Sequence, residues 1–238
     1  MRRIALFDKG FRPFFLLAAL ASVVYLPAWL GALWGWWVPP LQWTPSAWHG
    51  HEMVFGYTAA VLAGFLLTAV SQWTGRPTAE GGWLGALAGL WVAGRIAILM
   101  GGVWPAWLIA VIDLSFLPAL AVAVGRALLA DGNYRNAPFI GLILAFWAGN
   151  LWMHLAALGG VSGHISAALW ASVDVMMVIA LIITGRIVPL FTGNAVEGEV
   201  DTWPGVDRAL IAILGGYFLV AYALPEWWLG GAAGEVRA

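Results

Sequence analysis

Seven long apolar runs dominate this chain, and they constrain its fold more than any other feature. They cover residues 14–37, 51–70, 83–100, 104–130, 138–158, 165–191 and 206–229. A helix needs roughly 20 apolar residues to cross a ~30 Å hydrocarbon core. A transmembrane β-barrel shows shorter segments of alternating polarity, whereas these runs are continuous. The chain therefore reads as all-α, a polytopic transmembrane helical bundle of about seven spans. Composition agrees: 62% of the residues are hydrophobic and 10% are charged, against about 45–50% and 25% in soluble domains. Short connections such as "VPPLQWTPSAW", "SQWTGRPTAEGG" and "DGNYRNAP" hold most of the Gly and Pro. No linker separates domains, so residues 1–238 read as a single transmembrane domain with the lipid bilayer as its main partner.

The basic residues set an expected orientation. Arg2, Arg3, Lys9 and Arg12 precede the first run, and Arg76, Arg126, Arg135, Arg186 and Arg208 fall at or near the same face. Nine of the eleven basic residues thus lie on one side, which the positive-inside rule assigns to the cytoplasm together with the N-terminus. Only Arg95, inside a span, and Arg237 lie elsewhere. The first run is too long and lacks the small-residue cleavage site of a signal peptide, so it reads as a retained helix. Many of the 17 tryptophans stand near run ends, where amphipathic rings favour the interface. A formal net charge of -1 gives no basis for nucleic-acid binding. The absence of cysteine excludes disulfides, iron–sulfur clusters and thiolate metal sites.

The same topology puts all four histidines on or near the non-cytoplasmic side. His49 and His51 start the second run in "WHGHE", His154 lies near the end of the fifth, and His164 follows it in a loop. Residues two apart on a helix point about 200° apart, so His49 and His51 share one ligand only if the helix starts near His51. A His-x-His pair then suits copper or zinc. The residues alone equally fit two interfacial histidines bonded to headgroups or loop carbonyls. Glu52 heads a stripe of small residues, Gly56, Ala60, Gly64 and Thr68, at a spacing that lets a neighbouring helix approach closely. Glu52 therefore faces protein, as a hydrogen-bond acceptor for a ligating histidine or as a structural carboxylate.

In "NLWMH", Asn150 and His154 share a helix face, and His154 can ligate a haem iron or bond to a polar neighbour. Arg95, Asp113 and Asp174 are intramembrane by this reading, and such groups pair or line a wet cavity. Pairing of the two aspartates with Arg95 is the expected outcome. Residues 112–126 and 173–186 share an Asp near mid-span and a Gly-Arg at the inner end, a faint self-similarity. In "TGRIVPLFTGN", Pro189 and Gly193 predict a kink or stop, with Arg186 snorkelling to the interface.

Four stretches carry a family resemblance: "GFRPFFLLAAL" (10–20), "WHGHEMVFGYTAAVLAGFLLTAVSQWTGRP" (48–77), "NLWMH" (150–154) and "GRIVPLFTGN" (185–194). Together they resemble the NnrS family of bacterial membrane proteins. The resemblance implies a multi-pass protein of the bacterial cytoplasmic membrane that contains haem and copper. It further implies a role in denitrification and in protection against nitric oxide and nitrosative stress, with nitric oxide as a small-molecule ligand. The family is not known as a nitric oxide reductase in its own right. By position, His49, His51 and His154 become the metal-ligand candidates, with His51 and His154 as candidates for haem. Glu52 and Asn150 would orient them, and no residue is assigned a catalytic role. Family members are usually longer, so the chain is expected to be a short or truncated member.

Two rivals accompany this reading. One is an ion or small-molecule transporter with Arg95, Asp113 and Asp174 as its polar path. The other is an oxidoreductase that itself reduces nitric oxide, which would need more histidine ligands than the three candidates.

Overall fold

The computed structural model describes residues 5–159, 165–196, 204–218 and 220–221. Among these residues there is no β-strand, and the helices are α1 Phe11–Leu33, α2 Pro45–His51, α3 Ala59–Thr74, α4 Gly81–Leu99, α5 Ala106–Leu114, α6 Phe116–Ala130, α7 Pro138–Ala157, α8 Ile165–Val196 and α9 Pro204–Phe218. A π-helical segment, Glu52–Thr58, joins α2 to α3. Six helical segments among the described residues are long and apolar enough to cross a membrane: Phe11–Leu33, Pro45–Thr74, Gly81–Leu99, Ala106–Ala130, Tyr134–Ala157 and Ile165–Val196. The seventh apolar run falls on α9, which has 15 residues, and on residues outside those described.

Apolar side chains cover the outside of these helices, as a lipid-embedded bundle requires. Leu16, Leu20, Val23 and Val24 on α1 are exposed, as are Val111 on α5 and Val122 on α6. The ionisable side chains His51, Glu52, Asp113 and His154 are instead buried. Lipid solvates the first set and penalises the second, so polar groups go inward. The protein is a multi-pass membrane protein.

The chain forms two compact units, residues 1–173 and 174–238. In the first, α1 packs on α3, α4 on α5, and α6 on α3 and α7. The small-residue stripe makes the α1–α3 contact. A Cβ at Gly64 would sit 2.7 Å from Cδ1 and 2.8 Å from Cε1 of Phe15. Thr68, one turn on, accepts a hydrogen bond from the Phe11 amide at 3.1 Å and donates to the Gly64 carbonyl at 2.8 Å. Gly64→Leu overfills this contact and is expected to cost about 1–3 kcal/mol. Gly89→Leu, where a Cβ meets nothing within 4 Å, serves as the neutral comparison. Melting midpoints of the two variants in detergent check this, and equal midpoints would contradict the close approach.

Helix boundaries depart from the apolar runs in three places. The second span begins at Pro45, because Thr44 caps it by accepting from the Ala47 amide at 3.1 Å. Pro45 suits the first helical position, where its missing N–H is not needed. His49 and His51 are therefore a turn inside the helix. The fourth run is broken at Ser115 between α5 and α6, where Ser115 bonds back to the Ile112 carbonyl. Finally, α8 continues through Pro189 and Gly193 to Val196 instead of stopping there. A membrane helix tolerates proline because its neighbours re-satisfy the freed carbonyl.

The loop before α2 is tightly held. Leu41 has φ 60°, the left-handed region, which costs a non-glycine residue roughly 1–2 kcal/mol. Gly101, at the end of α4, packs directly on this loop: a Cβ there would meet the Leu41 backbone nitrogen at 2.7 Å, and Pro40 as well. Tryptophans gather at this end. Trp37 stacks edge-on against Trp48 with centroids 4.9 Å apart, and its indole donates to the Ala28 carbonyl at 2.7 Å. In the second unit, the Tyr217 hydroxyl donates to the Asp174 carboxylate at 3.3 Å.

Candidate metal centre

The polar residues that the sequence scatters over four spans meet in one buried cluster. His51 comes from the end of α2, Glu52 from the π-helical segment, Arg95 from α4, Asp113 from α5, and Asn150 with His154 from α7. Exposure is 0% for His51, 2% for Glu52 and for His154, and 3% for Asp113. Glycines make this convergence possible. A Cβ at Gly56 would lie 3.1–3.2 Å from Tyr25, Arg95 and Glu52 at once, and one at Gly94 would lie 3.1 Å from the Asp113 carboxylate. The i, i+4 spacing on α7 turns Asn150 and His154 to the same side.

Asp113 is the hub. Its Oδ2 lies 2.9 Å from His154 Nε2 and 3.2 Å from His51 Nε2, and it accepts from Asn150 Nδ2 at 2.9 Å. Its Oδ1 accepts from Arg95 Nη2. Arg95 Nη1 donates to Glu52 Oε1 at 2.8 Å, so one guanidinium bridges both carboxylates. Glu52 Oε1 also lies 3.1 Å from His51 Nδ1. Trp91 on α4 donates to the Gly56 carbonyl at 3.0 Å and fixes the π-helical segment beside Arg95.

Two features of this cluster favour a cation. The first is charge: one guanidinium faces two carboxylates, which leaves a negative charge buried when both imidazoles are neutral. The second is hydrogen-bond chemistry. His51 Nδ1 faces a carboxylate, while His51 Nε2 faces Asn150 Oδ1 at 3.1 Å and Asp113 Oδ2. A neutral imidazole has one donor nitrogen and one acceptor nitrogen, yet both nitrogens here meet acceptors. The deficit is met by a second proton or by a metal ion at Nε2. One ligand atom from each of His51, Asp113 and His154 lies within 4.8 Å of the others, so this buried group can hold a metal ion. Glu52 at Nδ1 is the kind of carboxylate partner that orients a ligating imidazole.

His49, also singled out from the sequence, stands apart from this group. His49 is helical like His51 and points away from it, stacking on Trp29 with centroids 4.3 Å apart and an interplanar angle of 11°. Arg186 and Asp174 belong to the second unit, and His164 lies outside the described residues. Arg95 pairs with Asp113, the aspartate of the first unit.

The chain matches the family model described as NnrS protein over residues 5–237. The chain belongs to the NnrS family. No curated protein and no solved structure matches it. In this NnrS-family chain the conspicuous sequence "WHGHE" divides its histidines between two environments, and Asp113 supplies the third donor. The apolar runs showed that Asp113 was intramembrane, and its type marks it as a possible hard ligand. Nothing in the sequence says that α5 carries it to within reach of α2 and α7. Trp43 was likewise missed as a site residue. Its indole lies over both imidazoles, with centroids 4.8 Å from His51 and 5.8 Å from His154. An interfacial tryptophan in a proline-rich loop gives no other signal.

Proposed function

We propose that this protein is a metal-binding member of the NnrS family in the bacterial cytoplasmic membrane, acting in the response to nitric oxide and nitrosative stress associated with denitrification. The observation that carries this reading is the convergence of His51, Asp113 and His154 on one buried point. Two imidazoles and a carboxylate suit a first-row transition ion, and copper is the ion this reading assigns to them. A bound copper would supply a redox-active centre able to bind a small ligand. The protein's own residues would do the rest: Glu52 and Asn150 orient His51, and Arg95 bridges the two carboxylates. The positive-inside pattern supports a cytoplasmic N-terminus and a centre nearer the periplasmic face.

Haem does not fit between these histidines. Ligation of one haem by both histidines needs the two imidazoles on opposite faces of an open slab. Here both Nε2 atoms approach the same Asp113 oxygen, and the rings stand 5.6 Å apart at 82° with Trp43 and Phe55 packed on His51. A haem shared by His51 and His154 is therefore not part of this reading.

Purified protein in detergent tests the reading through its optical spectrum and its copper content. About one copper per chain is expected, with His154→Ala lowering loading at least tenfold, the upper range of losses seen even for supporting groups being about a hundredfold. His49→Ala is expected to load normally. Protein without copper, or copper retained by His154→Ala, would overturn the assignment.

A further inference from the structure

Two cavities lie at the histidine-bearing end of the first unit, and one indole both lines them and packs on the metal group. One, of about 420 Å³, is lined by Thr44, Ser46, Gly50, Leu169 and Trp170 among others. The second, of about 780 Å³, is lined by Trp37, Pro40, Leu41, Gly101 and Trp104 among others. Trp43 lines both. None of His51, Asp113 and His154 lines either one. The Trp43 ring packs on both imidazoles, so it covers the metal group on the side of these cavities. Its position is set by the loop that carries it: Leu41 is held in the left-handed region and Gly101 packs against Pro40.

The indole N–H adds a chemical constraint. Trp43 is 4% exposed, and its Nε1 is buried without a hydrogen-bond partner. Buried indole donors ordinarily find an acceptor, so this one favours a ligand carrying a lone pair.

Resting on the reading that His51, Asp113 and His154 hold a metal, we propose that Trp43 is the gate of that centre, setting how fast small ligands with an acceptor atom reach it. Stopped-flow absorbance on the purified protein loaded with Co(II) tests it, with azide as the probe. In the wild type azide is expected to bind slowly. Trp43→Ala is expected to raise the azide rate at least tenfold at unchanged cobalt content, and Trp43→Phe to keep most of the slowing. Trp104→Ala, which opens the same second cavity without touching an imidazole, is expected to leave the azide rate at the wild-type value.

An azide rate in Trp43→Ala within twofold of wild type, at equal cobalt, overturns the gate and leaves the metal reading intact. An equal rise in Trp104→Ala also overturns it. Wild-type protein that takes up no cobalt overturns the metal reading. Diethyl pyrocarbonate labelling, mapped by mass spectrometry on metal-free protein, then judges the cover. His51 and His154 protected in the wild type and labelled in Trp43→Ala support it, and equal labelling in both overturns it.

Discussion

Asp113→Asn is expected to lower metal loading by at least about tenfold while the protein still inserts and folds. The carboxylate oxygen facing both imidazoles is the one anionic donor in the candidate centre. An amide keeps the volume and can still meet Arg95 and Asn150, but it presents a weaker ligand and removes the negative charge that favours a cation there. The charge argument sets the sign. With Asp113 neutralised, Arg95 balances Glu52 alone, and the cluster no longer calls for a further positive charge. Metal content measured at fixed copper concentration, alongside gel filtration to show intact folding, separates ligand loss from misfolding. Normal loading in a well-folded Asp113→Asn protein would remove this residue from the centre. It would also weaken the case that the three residues act together.

Arg95→Met is expected to have the largest effect on stability. Arg95 bridges Glu52 and Asp113 from a nearly buried position, and removing it leaves two carboxylates without their common partner. Breaking a buried ion pair from one side costs about 3–5 kcal/mol. For a chain of this size that corresponds to a fall in melting midpoint on the order of 10 °C. Arg95→Lys should recover only part of the loss, because an ammonium lacks the planar fork that reaches two carboxylates at once. Adding Glu52→Gln to Arg95→Met should restore some stability by removing one of the stranded charges. Midpoints by fluorescence-detected gel filtration check all three. A midpoint for Arg95→Met close to wild type would mean that water or another cation reaches the carboxylates.

These two residues also show how far the sequence could be read. The apolar runs located the membrane segments because lipid tolerates little else over that length. The small-residue stripe below Glu52 was readable because only such residues permit the contact that Phe15 makes with Gly64. The burial of Arg95 and Asp113 followed from the cost of exposing them to lipid. Their arrangement with His51 and His154 did not, since it depends on which helices are neighbours, and uniformly greasy surfaces leave little trace of that choice. The break at Ser115 and the π-helical segment were hidden for a related reason. In a run where nearly every position is apolar, a periodicity of 3.6 residues cannot be told from a wider one, and a one-residue interruption leaves no mark. The division of "WHGHE" was readable only conditionally. Helical geometry forbids both imidazoles from sharing a ligand, but the start of the helix rests on the Thr44 cap, which a sequence pattern dominated by the histidines obscured.

The π-helical segment Glu52–Thr58 has a mechanical meaning for the whole second span. Its hydrogen bonds reach one residue further than those of an α-helix, so the helix above it is out of phase with the helix below. Packing against α1 grips the lower part, α3, through Gly64 and Thr68. The wide turn offsets the upper part in rotation from α3, and with it the heading of the His51 ring. The span works as a phase shifter: the wide turn decides which face of α2, and so which of its two imidazoles, is turned toward the centre.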